Sequence, residues 1–463
     1  MKKPGILLIW HCCYLTAVTA QSPQIGVMRS FDNNHALAGD SNDWKFHRII
    51  KEIPLEKNSS NTLLTFGGEI REQLRYYHHV NFGDVDSGVS DKDLYLQQRF
   101  MLHTDLRVNR FLRVFAQFNS CHVTGKNSVS PQVDRDDLGL MQAFADLDLH
   151  VPFPVKLRLG RQEFLMGQDR ILGLRDGPTI RQTFDGARLI VELSHITGTV
   201  FLVQPVSYNF GVFDNTWRRK EYVLAGYLTM PLKGNHLLDL YYFGVQFQHS
   251  VYANVTANEN RHSTGLRISK GKGSFTYDAE FTWQFGQFGK QDIRAWQLSS
   301  MFAYHWQELP WNPGLLIRET LYSGDRKQAD NIMNTFRPVS TKSPVYDLVQ
   351  IGSANLALIS PEIEISLSKK TTLTIRYLAV WKLSQNDGIY PPDVRKMTRE
   401  TDMPGKELGK LITKGVTTDF LYVPNKHLSV LIYGGLFNAG NYISNTGVGR
   451  NMESFSVRAA YKF

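Results

Sequence analysis

From about residue 62 to its last residue, the chain falls into short segments in which apolar and polar side chains alternate. A period of two marks a β-strand with unlike faces, because successive side chains project to opposite sides of the backbone. The clearest case sets Phe275, Tyr277, Ala279, Phe281, Trp283 and Phe285 against Thr276, Asp278, Glu280, Thr282 and Gln284. Near the start, Leu64, Phe66, Ile70, Leu74 and Tyr76 oppose Thr65, Glu69, Arg71, Gln73 and Arg75. Leu94, Leu96, Phe100, Leu102, Leu106 and Val108 then oppose Gln97, Arg99, His103, Asp105 and Arg107. Later, Leu373, Ile375, Tyr377, Ala379 and Trp381 oppose Thr372, Thr374 and Arg376.

A β-sandwich also alternates, but its strands average about 5–6 residues. Several segments here run close to the ~9–11 residues that a tilted strand needs to cross a bilayer. Their polar faces carry Arg, Glu and Asp repeatedly, as a water-filled lumen would. Composition excludes the competing classes. With 12% aromatic and only 21% charged residues, the chain can bury ample apolar surface, so it is not disordered. Past residue 20 it has no uninterrupted apolar run of the ~18 residues that a spanning helix requires. The expected fold is an all-β transmembrane antiparallel barrel.

The first twenty residues read as a secretory signal peptide, with Lys2 and Lys3 before an apolar stretch from Ile6 to Ala17, and Val18, Thr19 and Ala20 at the cleavage site. Its removal takes two lysines and no acid, so the formal charge falls from +9 to +7. Cys12 and Cys13 leave with it, which keeps only Cys121 and excludes an intramolecular disulfide or a cysteine-based zinc site. Residues 21–61 are read as a periplasmic N-terminal segment, too short for the plug domain of a TonB-dependent receptor.

Strands near 62–78, 94–108, 111–121, 138–150, 155–164, 183–193, 197–207, 221–230, 237–248, 263–269, 274–286, 292–304, 314–322, 361–368, 371–384, 414–423, 427–437 and 453–463 make eighteen. Every second connection is then short, such as Asn109-Arg110 or Lys369-Lys370, while 79–93, 122–137, 165–182, 323–360 and 385–413 are long and polar. Outer-membrane barrels place short turns on the periplasmic side and long loops outside. Both termini therefore fall on the periplasmic side. Residues 347–359 are assigned to the preceding loop, as a small inward helix, because a strand there would put 385–413 on the short-turn side. The last strand ends on Phe463 in register with its apolar face, which suits a membrane-assembly signal read by barrel-assembly machinery.

Arginine recurs on the polar faces, at Arg71, Arg75, Arg99, Arg107, Arg113, Arg158, Arg188, Arg318, Arg376 and Arg458, with Lys156 beside them. A permanently charged guanidinium offers a donor fork that matches a carboxylate, and low-dielectric walls concentrate its field on passing anions. The competing use is bracing, each Arg paired with an acid such as Glu69, Asp105, Asp278 or Glu280. No Ser, His and acid grouping points to catalysis, so the protein is not expected to be an enzyme. No cofactor or metal is expected. The arginines are spread over many strands rather than gathered in one stripe, so nucleic acid is not an expected partner.

Residues 160–189 read GRQEFLMGQDRILGLRDGPTIRQTFDGARL, and this stretch resembles the alginate export family of outer-membrane β-barrels. Ser323-Gly324-Asp325, Thr335-Phe336, Asn355-Leu356, Asp387-Gly388-Ile389-Tyr390 and Phe437 with Gly440 fit its later pattern in the same order. The resemblance implies an eighteen-stranded bacterial outer-membrane barrel with an Arg-lined constriction, through which a polyuronate passes without ATP or bound cofactor. It also implies that Asp169, Arg170, Arg175, Asp176, Arg181 and Asp185 sit in or beside a long loop that could fold into the pore and gate it. The expected function is passive passage of an anionic polysaccharide or oligosaccharide, alginate-like. The alternative is a general or small-anion nutrient porin, and a third reading is a mainly structural or adhesive barrel. Outer-membrane lipid and lipopolysaccharide are the expected surroundings, and a monomer the expected state.

Overall fold

The computed structural model describes residues 25–463 apart from 57–58, 86–88, 128–132, 151–152, 219, 253–254, 328–329, 341–342, 346–348, 350, 393 and 395–407. The leader assigned to residues 1–20 lies outside the described residues. Eighteen strands form one closed antiparallel barrel. The first six are β1 (Ser59–His78), β2 (Lys92–Val108), β3 (Leu112–Thr124), β4 (Asp136–His150), β5 (Pro154–Gln162) and β6 (Phe184–Leu193). Next come β7 (Ile196–Ser207), β8 (Tyr222–Leu232), β9 (His236–Tyr252), β10 (Val255–Lys270), β11 (Phe275–Phe288) and β12 (Gln291–His305). The last six are β13 (Gly314–Tyr322), β14 (Leu356–Ser368), β15 (Thr371–Trp381), β16 (Leu411–Tyr422), β17 (Leu428–Ala439) and β18 (Met452–Lys462).

Closure is between first and last strands, from Glu69↔Lys462 to His78↔Glu453. It leaves no open sheet edge, as a strand structure in lipid requires, because an unpaired peptide group has no water there to satisfy it. The alternation read from sequence becomes an outside and an inside. Leu94, Phe100 and Leu102 are exposed on β2, while Gln97, Arg99, His103 and Asp105 between them are buried.

Most long connections alternate with short ones, and the chain enters the first strand and leaves the last on the short-turn side, although 289–290 is a short turn on the long-loop side and 306–313 a longer one opposite. Two connections depart from the expected pattern. β9 runs to Tyr252 and β10 starts at Val255, so most of what was read as a loop before residue 263 is a strand pair. Residues 356–359 belong to β14, contrary to their assignment to the preceding loop, and no helix forms among the described residues of 347–355. Leu356 and Leu358 are buried against inward loops, while the strand's other face meets lipid. The segment is therefore apolar without a clean alternation.

The same explanation covers β9, where Leu240 and Tyr242 point out and Tyr241, Phe243, Val245 and Phe247 are buried. These inner residues join Phe164, Phe201, Val203, Val223 and Phe336 in a core inside the barrel, built where loops pack on the wall. The long connections thus fill one end of the lumen instead of standing above it. At the other end, the N-terminal segment carries two short helices, α1 (Asn34–Ala38) and α2 (Lys45–Ile49), and a strand Ile53–Glu56 paired with β1.

Candidate functional site

The element that shapes the lumen is the connection between β5 and β6, residues 163–183. It starts where Gly160 and Gly186 face each other on paired strands. Gly160 has φ +123°, and a Cβ there would lie 2.2 Å from the Ala143 carbonyl oxygen, so a side chain has neither the conformation nor the room. From this start the chain turns inward and crosses the barrel. On one side Arg170 reaches β11 and pairs with Asp278 and, at 3.0 Å, with Glu280. Midway, the Gly173 N–H donates to the Ser340 carbonyl of the 323–355 loop, 2.8 Å away.

On the other side, the backbone carbonyls of 176–179 are gripped by arginines of β1 and β2. Arg71 donates to the Asp176 and Pro178 carbonyls, both at 2.9 Å, Arg75 to Gly177 at 3.0 Å and Arg99 to Thr179 at 3.4 Å. The Asp176 carboxylate lies 2.9 Å from Arg99 and 2.6 Å from Arg181. Arg181 itself reaches Glu163 at 3.4 Å and Glu69 at 3.9 Å. Arg458 donates to Gln73 beside this group, and Lys462 completes it from β18. Among the described residues, Arg71, Arg75, Arg99, Arg181, Arg458 and Lys462 gather around the carboxylates of Glu69, Glu163 and Asp176. Arg71 lies 3.6 Å from the Asp176 carboxylate, and Asp419 faces Arg458.

The other expected residues divide differently. Arg158 forms a two-pronged pair with Asp146 at 2.7 and 2.8 Å and lies over the Phe144 ring. Arg113 pairs with Asp105 at 2.7 Å, and Arg107, more exposed, reaches the same carboxylate at 3.4 Å. Arg376 bridges Glu362 and Asp419, and Arg318 reaches Glu362 at 3.2 Å. These are braces between neighbouring strands. Arg188 differs from them, donating to Thr199 at 3.0 Å and lying over Phe164. Lys156 pairs with Asp148 near the rim.

Among the expected loop residues, Asp169 and Arg175 carry positive φ of 66° and 54° and mark the turns of the crossing. Asp185 does not join them. It lies on β6 with its side chain on the outer face, paired with Arg161 at 2.7 Å and bonded to the Trp217 ring nitrogen. Its odd parity relative to Arg188 puts it there.

Among the described residues, four interior arginines were missed: Arg29, Arg261, Arg267 and Arg337. Arg261 and Arg337 share the buried Glu259, and Arg267 bridges Asp239 and Asp278. Glu259 and Arg261 two residues apart was the available signal, hidden because that stretch was read as loop.

The later family pieces meet in one place. The Asp387 carboxylate accepts from the Asp325 N–H at 2.8 Å, Thr335 Oγ1 at 2.6 Å and the Tyr390 hydroxyl at 2.7 Å. Asn355 donates to the carbonyls of Ser384 and Gly388, both at 3.0 Å. These residues tie the 323–355 loop to the loop after β15.

The chain matches the alginate export family over residues 62–457. No curated protein matches it. Solved structures share its fold at low identity. OpdO of Pseudomonas aeruginosa has a TM-score of 0.59 at 13% identity, covering 86% of this chain and 97% of that one. A BenF-like porin of Pseudomonas fluorescens has a TM-score of 0.57 at 11% identity, covering 86% and 98%. OccK2 (OpdF) of Pseudomonas aeruginosa, in complex with glucuronate, has a TM-score of 0.55 at 13% identity, covering 86% and 98%. Family and barrel together identify an outer-membrane transport pore: the chain belongs to the alginate export family.

Proposed function

We propose that this outer-membrane pore passes anionic saccharides, alginate-like polymers first among them, down their gradient past the arginine-rich level around the inward loop. The observation that carries this is the gathering of Arg71, Arg75, Arg99, Arg181, Arg458 and Lys462 around the crossing of the inward loop. Arg71 and Arg75 donate to loop carbonyls, with Asp176 3.6 Å from Arg71 and the Tyr77 hydroxyl also bonded to Arg75, and the carbonyl contacts can be exchanged for a solute carboxylate at little electrostatic cost. The inner walls are of low dielectric, which strengthens the field along the axis. Successive carboxylates of a polyuronate would meet the level in turn, each bound weakly enough to leave.

A second reading is a conduit for small uronates or other small carboxylates. It is favoured by the depth to which loops fill the lumen and by the glucuronate bound in OccK2. Single-channel recording in planar bilayers separates the two. Polymer passage predicts anion selectivity and current block by oligouronates that deepens with chain length. Block by monouronate alone supports the second reading. Cation selectivity, or indifference to both, rejects the proposal.

A further inference from the structure

The N-terminal segment does more than lead into β1. Residues 25–34 run inside the mouth of the barrel on the side of the short turns, and their contacts are with inward-facing groups. Arg29 donates to the carbonyls of Gly68 and Phe463, which fixes the segment to the seam where the barrel closes. The Ser30 carbonyl accepts from Arg113 at 2.7 Å, and Asn34 donates to Asp105 at 2.8 Å. Arg29, Ser30, Asp32 and Asn34 are all buried. The tip of the segment touches the underside of the inward loop. Arg181 donates to the Val27 carbonyl at 3.0 Å, and Met28 packs with Leu165 near the start of the crossing and with Leu174 near its middle.

The other end of the segment is fastened outside the lumen. Lys426, in the turn between β16 and β17, lies against both Asp40 and Asp43. His427 lies 2.9 Å from Asp43, and His47 on α2 approaches the same carboxylate at 2.9 Å. The two imidazoles stack with centroids 3.8 Å apart, and the second nitrogen of His47 meets the Tyr461 hydroxyl. Asp43, His47 and His427 have the make-up of a cation site, but the ammonium of Lys426 already lies 2.9 Å from the carboxylate. The cluster is a polar fastening between the segment and the barrel rim.

We propose that residues 25–34 are a strap that holds the inward loop in its narrowing position from the periplasmic side, and that undoing the Asp40, Asp43, Lys426 and His427 fastening releases both and widens the pore. Arg181 makes this mechanically plain. It binds the loop's own Asp176 and the strap's Val27 with one guanidinium, so loop and strap cannot part without breaking a buried charged group's bonds. Such bonds are among the stronger polar contacts in a protein. The strap touches inward groups of β1, β2, β3 and β18, and Phe31 lies under Arg158 of β5, so it narrows one sector of the mouth.

The strap concerns gating, and it holds whichever solute passes. The test uses the full-length protein, with heat-modifiable gel mobility confirming a folded barrel. Met28→Asp places a carboxylate between Leu165 and Leu174. Lys426→Ala removes the ammonium that bridges Asp40 and Asp43 and leaves Asp43 to the two imidazoles alone, without touching the lumen, and serves alone if the first variant does not assemble. A rise in single-channel conductance, with the sign of ion selectivity unchanged, is expected from each. A Ser30→Cys variant supplies a second readout. Its thiol should react slowly with a membrane-impermeant maleimide, and faster once Lys426→Ala is added. Conductance and labelling rates equal to those of the parent in folded Lys426→Ala barrels would overturn the strap. Failure of the anion-passage reading looks different, as cation selectivity in the unaltered protein.

Discussion

Arginines that look alike in the sequence do opposite work, and their partners decide which. Arg158 has its charge answered by Asp146 through two short bonds, whereas Arg71 bonds to two carbonyls and lies farther, at 3.6 Å, from the Asp176 carboxylate. Replacing Arg158 with Gln should leave Asp146 facing the more distant Arg113, at 3.6 Å, a defect of about 1–3 kcal/mol. The expected result is a lower unfolding temperature in gel-shift assays with little change of selectivity. Arg71→Gln should do the reverse, lowering anion selectivity in reversal-potential measurements with a small effect on stability. Equal effects of both variants on selectivity would mean that the lumen senses only total charge. A second residue-scale consequence concerns Asp325, whose carboxyl is pushed up to about 6 by burial and by the neighbouring Asp387 carboxylate. Because the folded loop binds this proton more tightly than an unfolded one, the loop knot gains stability as pH falls through about 6 and loses it as pH rises again. Closures of the pore should therefore lengthen between pH 7 and pH 5, and Asp325→Asn should remove the dependence. A pH response unchanged in that variant would assign the effect to another group.

Elements were legible where one face meets lipid and the other meets water. β11 shows this, since Phe275 to Phe285 face out and Asp278, Glu280, Thr282 and Gln284 are buried inside. Where both faces meet apolar surroundings, as in β9 and the start of β14, alternation fades and only the register of neighbours places the strand. The first half of β10, Val255 to His262, failed for the opposite reason, because it carries little apolar surface on either face. At the candidate site, the family stretch 160–189 pointed to the crossing loop, but nothing local to it could show that Arg71, Arg75 and Arg99 would grip its carbonyls, since those partners lie some eighty to a hundred residues away. The loop knot has the same origin. Asp387, read in the sequence only as part of the family's later pattern, is the acceptor that ties two loops together. Asp387→Ala should orphan the Thr335 and Tyr390 hydroxyls, each costing about 1–3 kcal/mol. Limited proteolysis within the 382–410 connection should then speed up while the barrel stays heat-modifiable. Unchanged proteolysis would show that apolar packing alone holds the loops.

At the scale of the whole molecule, charge is layered rather than spread. The braces at Arg158, Arg113 and Arg376 neutralise themselves within a few ångströms, and so do Arg261, Arg267 and Arg337. Arg71, Arg75, Arg99, Arg181, Arg458 and Lys462 are gathered at one level, where the inward loop meets β1, β2 and β18. A field from one layer acts over a Debye length, which is about 10 Å at 0.1 M salt and about 3 Å at 1 M. A solute that passes several ångströms from a guanidinium would be inside the first distance and outside the second. Anion selectivity should therefore be strong when reversal potentials are measured at about 0.1 M mean salt and should fade towards unity near 1 M. Block by oligouronates should weaken over the same range, and more steeply for longer chains, because each added carboxylate contributes its own screened contact. Selectivity that survives at high salt would place recognition in direct hydrogen bonds to the solute rather than in the field of the layer. That outcome would make Arg71 and Arg75 binding groups first and field sources second.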